Sequence, residues 1–291
     1  MSENILEIRD VTKSFAGLTA VKNCTFSVRA GDIHALIGPN GAGKTTMFNM
    51  IGGALKVTSG AIVLNGDDIT GAAEHERVYR GIARTYQLIS LFNEMSVIEN
   101  VMSGRYCRTR AGVVGGLLNL PWATREARET RDKAREILDL VGLGNKGLEP
   151  QLAGSLSYGE QRVLEIARAL ASEPKILLLD EPAAGMNPTE KVRLAELLVK
   201  VRDMGISILI VEHDMRLIMG IADVVTVLDH GVRIAEGAPE TVQKDPLVLI
   251  AHPDVQRIED LKDRTLLVGQ VGQVTYWPWL KARHGFTDAQ M

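Results

Sequence analysis

Residues 38 to 45 read Gly-Pro-Asn-Gly-Ala-Gly-Lys-Thr. Glycines at this spacing let backbone N–H groups turn inward around a polyphosphate, with an ammonium and a hydroxyl at the far end. Gly38, Pro39, Asn40, Gly41, Ala42 and Gly43 would form the cradle. Lys44 would reach the β- and γ-phosphates of a bound nucleotide, the Thr45 hydroxyl would ligate Mg²⁺, and Thr46 follows within reach. Such a loop needs a strand in front and a helix behind. Ile33 to Ile37 is a short apolar stretch suited to a buried parallel strand, and Met47, Met50 and Ile51 recur at helical spacing. That helix would aim the positive end of its dipole at the phosphates.

A second group lies downstream. Ile176-Leu177-Leu178-Leu179 ends in Asp180-Glu181, with Pro182 stopping the strand. A strand buried on both faces reads this way, and its acids emerge at the carboxyl end of the sheet, where ligands bind in open α/β folds. Asp180 suits a Mg²⁺-holding role, and Glu181 is placed to polarise an attacking water. An acidic pair after a strand can also be a solvated strand end; the phosphate loop gives it a use. Between the two groups, Leu156-Ser157-Tyr158-Gly159-Glu160-Gln161 precedes a helix with Val163, Ile166, Ala167 and Leu170 on one face. Ser157 can cap that helix, whose first turn offers N–H groups to an anion.

With these residues in this order, the chain resembles the ATP-binding subunits of ABC (ATP-binding cassette) transporters, and Leu156 to Gln161 resembles their signature loop, with Tyr158 where Gly is commoner. The resemblance implies an α/β fold: a P-loop NTPase core with an N-terminal antiparallel β subdomain and a helical subdomain. It implies that Phe15 stacks on adenine, although a lone Phe in an amphipathic strand can also pack in a core. Gln87, in Arg84-Thr85-Tyr86-Gln87, takes the position of a residue that contacts Mg²⁺ and water and senses the membrane partner. Ala183 to Asn187 takes that of a loop crossing the dimer interface. His213, just past the aliphatic run Ile206 to Val211, takes that of the switch histidine contacting the γ-phosphate. Two cassettes would pack head to tail, so that Ser157 and Gly159 of one face Lys44 of the other across ATP. The partners implied are a second ABC ATPase subunit, identical or related, integral permease subunits, and indirectly a periplasmic solute-binding protein. The place implied is the cytoplasmic face of the inner membrane.

The helical subdomain is expected at about 88–154, within a cassette spanning 1–250. Ala123, Ala127, Ala134, Ile137 and Val141 recur near helical spacing, with Arg125–Glu129 and Glu129–Lys133 as i,i+4 pairs. Leu91, Phe92 and Met95 lie in a loop-like context that reads either as local packing or as a groove for a permease helix. The glycine-rich stretch Ala111 to Leu120, Glu-Pro-Ala-Ala-Gly-Met-Asn-Pro at 181–188 and Val-Glu-His-Asp-Met at 211–215 resemble the ATPases of high-affinity branched-chain amino acid importers. Residues 251–291 do not fit a cassette. Ile258 to Gly269 and Thr275 to Lys281 resemble fragments of periplasmic solute-binding proteins, and the tail reads either as a rearrangement scar or as a regulatory segment.

Composition narrows the class. A formal net charge of −3 supplies no basic field, which disfavours nucleic acid as the main partner. No apolar run approaches the ~18 residues that cross a bilayer. Cys24 and Cys107 have no metal-ligand spacing. The favoured function is ATP hydrolysis that energises an importer of branched-chain or other hydrophobic amino acids. The alternatives are a soluble ABC ATPase not coupled to transport and a non-catalytic nucleotide-binding remnant.

Overall fold

The computed structural model describes residues 4–109 and 121–243. The glycine-rich stretch Ala111 to Leu120 and the tail 251–291 singled out above lie outside the described residues.

Two sheets carry the fold. Strands β1 (Asn4–Phe15), β2 (Leu18–Arg29), β4 (Ser59–Leu64) and β5 (Asp67–Asp68) form an antiparallel sheet in the order β2-β1-β4-β5. The β1–β2 hairpin turns through Ala16 and Gly17, both at positive φ, which matches the right-handed twist of its strands. The second sheet has the order β10-β9-β3-β8-β7-β6, from β3 (Ile33–Ile37), β6 (Ile82–Arg84), β7 (Ile176–Asp180), β8 (Ser207–Val211), β9 (Val224–Asp229) and β10 (Val232–Gly237). All pairs in it are parallel except the edge hairpin β9–β10. The expected α/β architecture, with its N-terminal antiparallel sheet, is the observed one.

Every residue of β3, β7 and β8 is buried, because both faces of this sheet are covered. Side chains alternate between the faces at the strand period. Ile176 and Leu178 of β7, with Leu209 and Val211 of β8, join the core shared with the antiparallel sheet and helix α1 (Lys44–Gly52). Leu177, Leu179, Ile208 and Ile210 point the other way, onto Leu194 and Leu198 of a long helix and Ile218 of a short one. Register brings the carboxyl ends of the three strands level: Val211 pairs with both Leu36 and Asp180. Whatever follows β3, β7 and β8 therefore emerges on one sheet edge.

In chain order the remaining helices are α2 (Glu74–Arg80), α3 (Val97–Gly104), α4 (Pro121–Leu140), α5 (Tyr158–Leu170), α6 (Pro188–Asp203), α7 (Met215–Ile221) and α8 (Pro239–Val242). A third core forms where Val97, Ile98 and Val101 of α3 meet Ala134 and Leu138 of α4 and Leu164 and Ala167 of α5. The helical packing thus continues past residue 154 into α5.

The reading of α4 needs two corrections. Its buried positions are Ala123, Thr130, Ala134 and Leu138, while Ala127 is exposed. Only the C-terminal half of α4 reaches the third core, while Ala123 is buried outside it. Arg125 pairs with Glu129 at 2.9 Å as expected, but Lys133 turns to Glu136 at 2.6 Å instead of Glu129. Both are exposed pairs worth little.

Candidate nucleotide site

The phosphate loop leaves β3 at Gly38 and enters α1 after Gly43. Gly38 has φ +148°, and a Cβ there would lie 2.0 Å from the Leu228 carbonyl oxygen. Gly43 has φ +99°, and its Cβ would lie 2.6 Å from the Ala20 carbonyl oxygen. Glycine is the residue that fits both places. Gly43 then caps α1 without any side-chain hydrogen bond, and the first turn holds no acid. By contrast α3, α5 and α6 each carry a capping side chain and a reciprocating Glu, at Ser96/Glu99, Ser157/Glu160 and Asn187/Glu190. The start of α1 therefore keeps its orphan N–H groups and a bare positive dipole end, which is the chemistry of an anion site. Lys44 is buried and donates to the carbonyls of Gly38 and Pro39 at 2.7 and 2.9 Å. Burial lowers its pKa, and the charges of Glu181 and Asp180 pull it back up. Thr45 is exposed and Thr46 half-buried in the same turn, while Asn40 and Gly41 are exposed at the loop tip.

At the ends of β7 and β8 the expected acid, amide and imidazole come together. Asp180 is buried, with Arg84 Nη2 3.4 Å from its Oδ2. Burial raises the Asp180 pKa, Arg84 works against that, and the Glu181 charge adds to it. Glu181 is the first residue past the strand; its backbone sits at φ +50° and its N–H donates to the Val211 carbonyl at 2.9 Å. A non-glycine residue in the left-handed region is strained, and such strain gathers at working sites. The Glu181 carboxylate lies between two partners: Gln87 Nε2 donates to Oε2 at 3.2 Å, and His213 Nε2 is 2.9 Å from Oε1.

Some residues of the site escaped the sequence reading. Glu212 is buried and its carboxylate accepts from the backbone N–H groups of Ala183 (2.6 Å), His213 (3.0 Å) and Asp214 (3.3 Å). It thus ties the loop after Glu181 to the loop bearing His213. Arg84 stacks on the Tyr86 ring, 4.8 Å from its centroid, as it reaches Asp180. An acid directly after an aliphatic strand was the one signal for Glu212.

The donor set suits Mg²⁺. A Thr45 hydroxyl, an Asp180 carboxylate and a Gln87 amide are hard oxygen ligands. Among the described residues no cluster of three His, Cys, Asp or Glu forms a cage.

Ser157 and Gly159 stand apart from this group. Ser157 Oγ donates to Glu160 Oε2 at 2.8 Å, and the Glu160 N–H returns to Ser157 Oγ at 3.4 Å. Both residues line a cavity of about 640 Å³ with Lys146, Met186 and Glu190, which none of Lys44, Thr45, Asp180 and Glu181 borders. Phe15 ends β1 41% exposed as a residue, with Lys13 Nζ 4.9 Å from its ring centroid, so it is not a core residue.

The family model described as ABC transporter matches residues 21–184. The chain belongs to the ABC transporter family. It is accordingly an ABC-type ATPase. It is 41% identical over 253 residues to the high-affinity branched-chain amino acid transport ATP-binding protein LivG of Salmonella typhimurium, covering 87% of this chain and 98% of that protein. A solved ATP-binding cassette of an ABC transporter in its ADP conformation superposes with a TM-score of 0.75 at 33% identity, over 86% of this cassette and 98% of that one. A dimeric post-hydrolysis cassette bound to ADP and Pi gives a TM-score of 0.68 at 25% identity, over 80% and 98%. Among the described residues of this cassette, no helix is long and apolar enough to cross a membrane.

Proposed function

We propose that this chain is the ATP-hydrolysing subunit that energises a membrane importer of branched-chain or other hydrophobic amino acids, working at the cytoplasmic face of the inner membrane. The observation that carries the hydrolytic reading is the Glu181 carboxylate held between Gln87 and His213, beside the phosphate loop. The cargo rests on the similarity to LivG.

In this reading Lys44 exchanges the Gly38 and Pro39 carbonyls for β- and γ-phosphate oxygens, and the open first turn of α1 donates N–H groups to the same anion. Phe15 offers an exposed ring for adenine. Mg²⁺, held by Thr45, Asp180 and Gln87, would neutralise phosphate charge. Glu181 takes the proton of the attacking water, with Gln87 and His213 fixing its two oxygens. Ser157 and Gly159 complete the site from a second cassette, identical or related, which explains why they border a different cavity of their own chain. ATP then stabilises the closed pair far more than the open one, and hydrolysis reopens it. A groove lined by Val78, Leu91, Phe92, Tyr106 and Arg168 offers a docking place for a permease helix. A periplasmic solute-binding protein is the indirect partner of such an assembly.

The test is light scattering of the Glu181→Gln chain with and without Mg-ATP, beside its hydrolysis rate. The expected result is an ATP-dependent shift from monomer to dimer and a rate lowered at least about 100-fold. Hydrolysis at the parental rate would overturn the assignment of Glu181.

A further inference from the structure

Arg162 belongs to α5, five residues after the Ser157 cap, and its side chain is 3% exposed. Its guanidinium does not stay within its own helix. Nη1 donates to the Tyr86 carbonyl at 2.8 Å, and Nη2 donates to the Gln87 carbonyl. The same group is held from behind by Glu165, whose Oε2 lies 3.2 Å from Nη1, and from the side by Tyr158, whose hydroxyl lies 3.3 Å from Nη2. A planar fork reaching two consecutive carbonyls fixes both the position and the tilt of the peptide between them, which a single ammonium cannot do. The side chain of that same Gln87 donates to Glu181.

We infer that Arg162 is a positioning residue for hydrolysis: it sets Gln87 against Glu181 and makes that alignment depend on where α5 lies. The inference rests on the reading of Glu181 as the base. A continuous line of contacts runs from the Ser157 cap, through one turn of α5 to Arg162, to the Gln87 main chain, and from the Gln87 side chain to the Glu181 carboxylate. Any displacement of the helix that carries Ser157 is therefore felt at the Glu181 carboxylate. The loop needs such an anchor, because residues 85–96 between β6 and α3 hold no helix or strand of their own. Glu165 has the supporting part. It balances the Arg162 charge in a dry environment.

The experiment is a double-mutant cycle on the full-length chain: parent, Gln87→Ala, Arg162→Met and the double variant, read as kcat, as Kd for Mg-ATP and as melting temperature. Arg162→Met should lower kcat about ten-fold while Kd changes by less than about two-fold, because no contact of the Lys44 loop is touched. The double variant should be no slower than Gln87→Ala alone, since Arg162 acts through that side chain. A role in stability alone would lower the melting temperature and leave the two kcat losses additive. Arg162→Lys keeps a cation beside Glu165 and should fold even where Arg162→Met does not. Its kcat should fall in the parent and not in the Gln87→Ala background. If Gln87→Ala slows hydrolysis and the Arg162 variants are either parental or additive with it, the inference is overturned and the Glu181 reading stands. If Gln87→Ala hydrolyses ATP at the parental rate, the Gln87–Glu181 contact is idle and the inference falls with it. The Glu181→Gln rate shows separately whether Glu181 is the base.

Discussion

His34 is the second residue of β3, the strand that delivers the phosphate loop, and it is completely buried. The Thr226 hydroxyl donates to Glu236 Oε2 at 3.2 Å, so towards His34 it can only accept, at 2.8 Å from Nε2. That fixes the tautomer: Nε2 carries the proton, and the bare Nδ1 faces the interior without a partner. Protonating Nδ1 would place an unpaired charge there. Burial, reinforced by the charge of Arg29, pulls the His34 pKa from 6.5 down to about 4. The unfolded chain accepts a proton below 6.5 and the folded one does not until about 4. Stability from the neutral imidazole is therefore fully present above pH 6.5 and lost as pH falls towards 4. The whole gap corresponds to about 3 kcal/mol, of which about 2 kcal/mol is gone by pH 5. The perturbation is His34→Gln, which keeps a donor towards Thr226 and does not titrate. Urea unfolding of parent and variant at pH 7.5 and 5.0 supplies four stabilities, and the carboxylates common to both chains cancel in the difference. The parent should lose about 2 kcal/mol more than the variant between the two pH values. Equal losses in the two chains would refute the reasoning, whatever the variant costs at either pH alone.

Three further outcomes follow from the packing. Gly43→Ala should weaken Mg-ATP binding at least about ten-fold in a fluorescent-nucleotide titration, since the added Cβ meets the Ala20 carbonyl in a backbone region that disfavours it. Arg77 is buried and donates to the carbonyls of Met50, Ile51, Thr70 and Ala72, joining the end of α1 to the segment before α2. Arg77→Met leaves those carbonyls unpaired and should cost about 3 kcal/mol in denaturant unfolding. Burial pushes the Cys24 thiol up to about 12, whereas Cys107 is only half-buried. Iodoacetamide at pH 8 should therefore label Cys107 in the native chain and reach Cys24 only after unfolding, as read by mass spectrometry.

The central sheet was legible because its strands declare themselves. Ile33 to Ile37, Ile176 to Leu179 and Ile206 to Val211 are aliphatic runs with chemistry-bearing residues at their carboxyl ends, and parallel strands buried on both faces have that composition. Gln87, Glu181 and His213 come from three separate loops, and no periodicity predicts that they share one hydrogen-bonded group; the resemblance implied only a separate role for each. The exposure of Ala127 was not legible, because the reach of α3 and α5 along α4 is a tertiary fact. Glu212, Arg84 and Arg162 were hidden for a different reason. A charged residue in sequence looks like solvated surface, and only the fold shows that the side chain of each is largely shielded against backbone or a counter-charge.

Lys44 starts with its hydrogen bonds already made, to the Gly38 and Pro39 carbonyls. Nucleotide capture at this loop is therefore a swap of partners. The ammonium gives up two neutral acceptors for anionic ones, and calorimetry should register only the difference between them. The arrangement also holds the loop's shape while the ammonium waits, so little chain ordering is left to do on arrival. Speed of capture and modest heat are two faces of one side chain that is never idle.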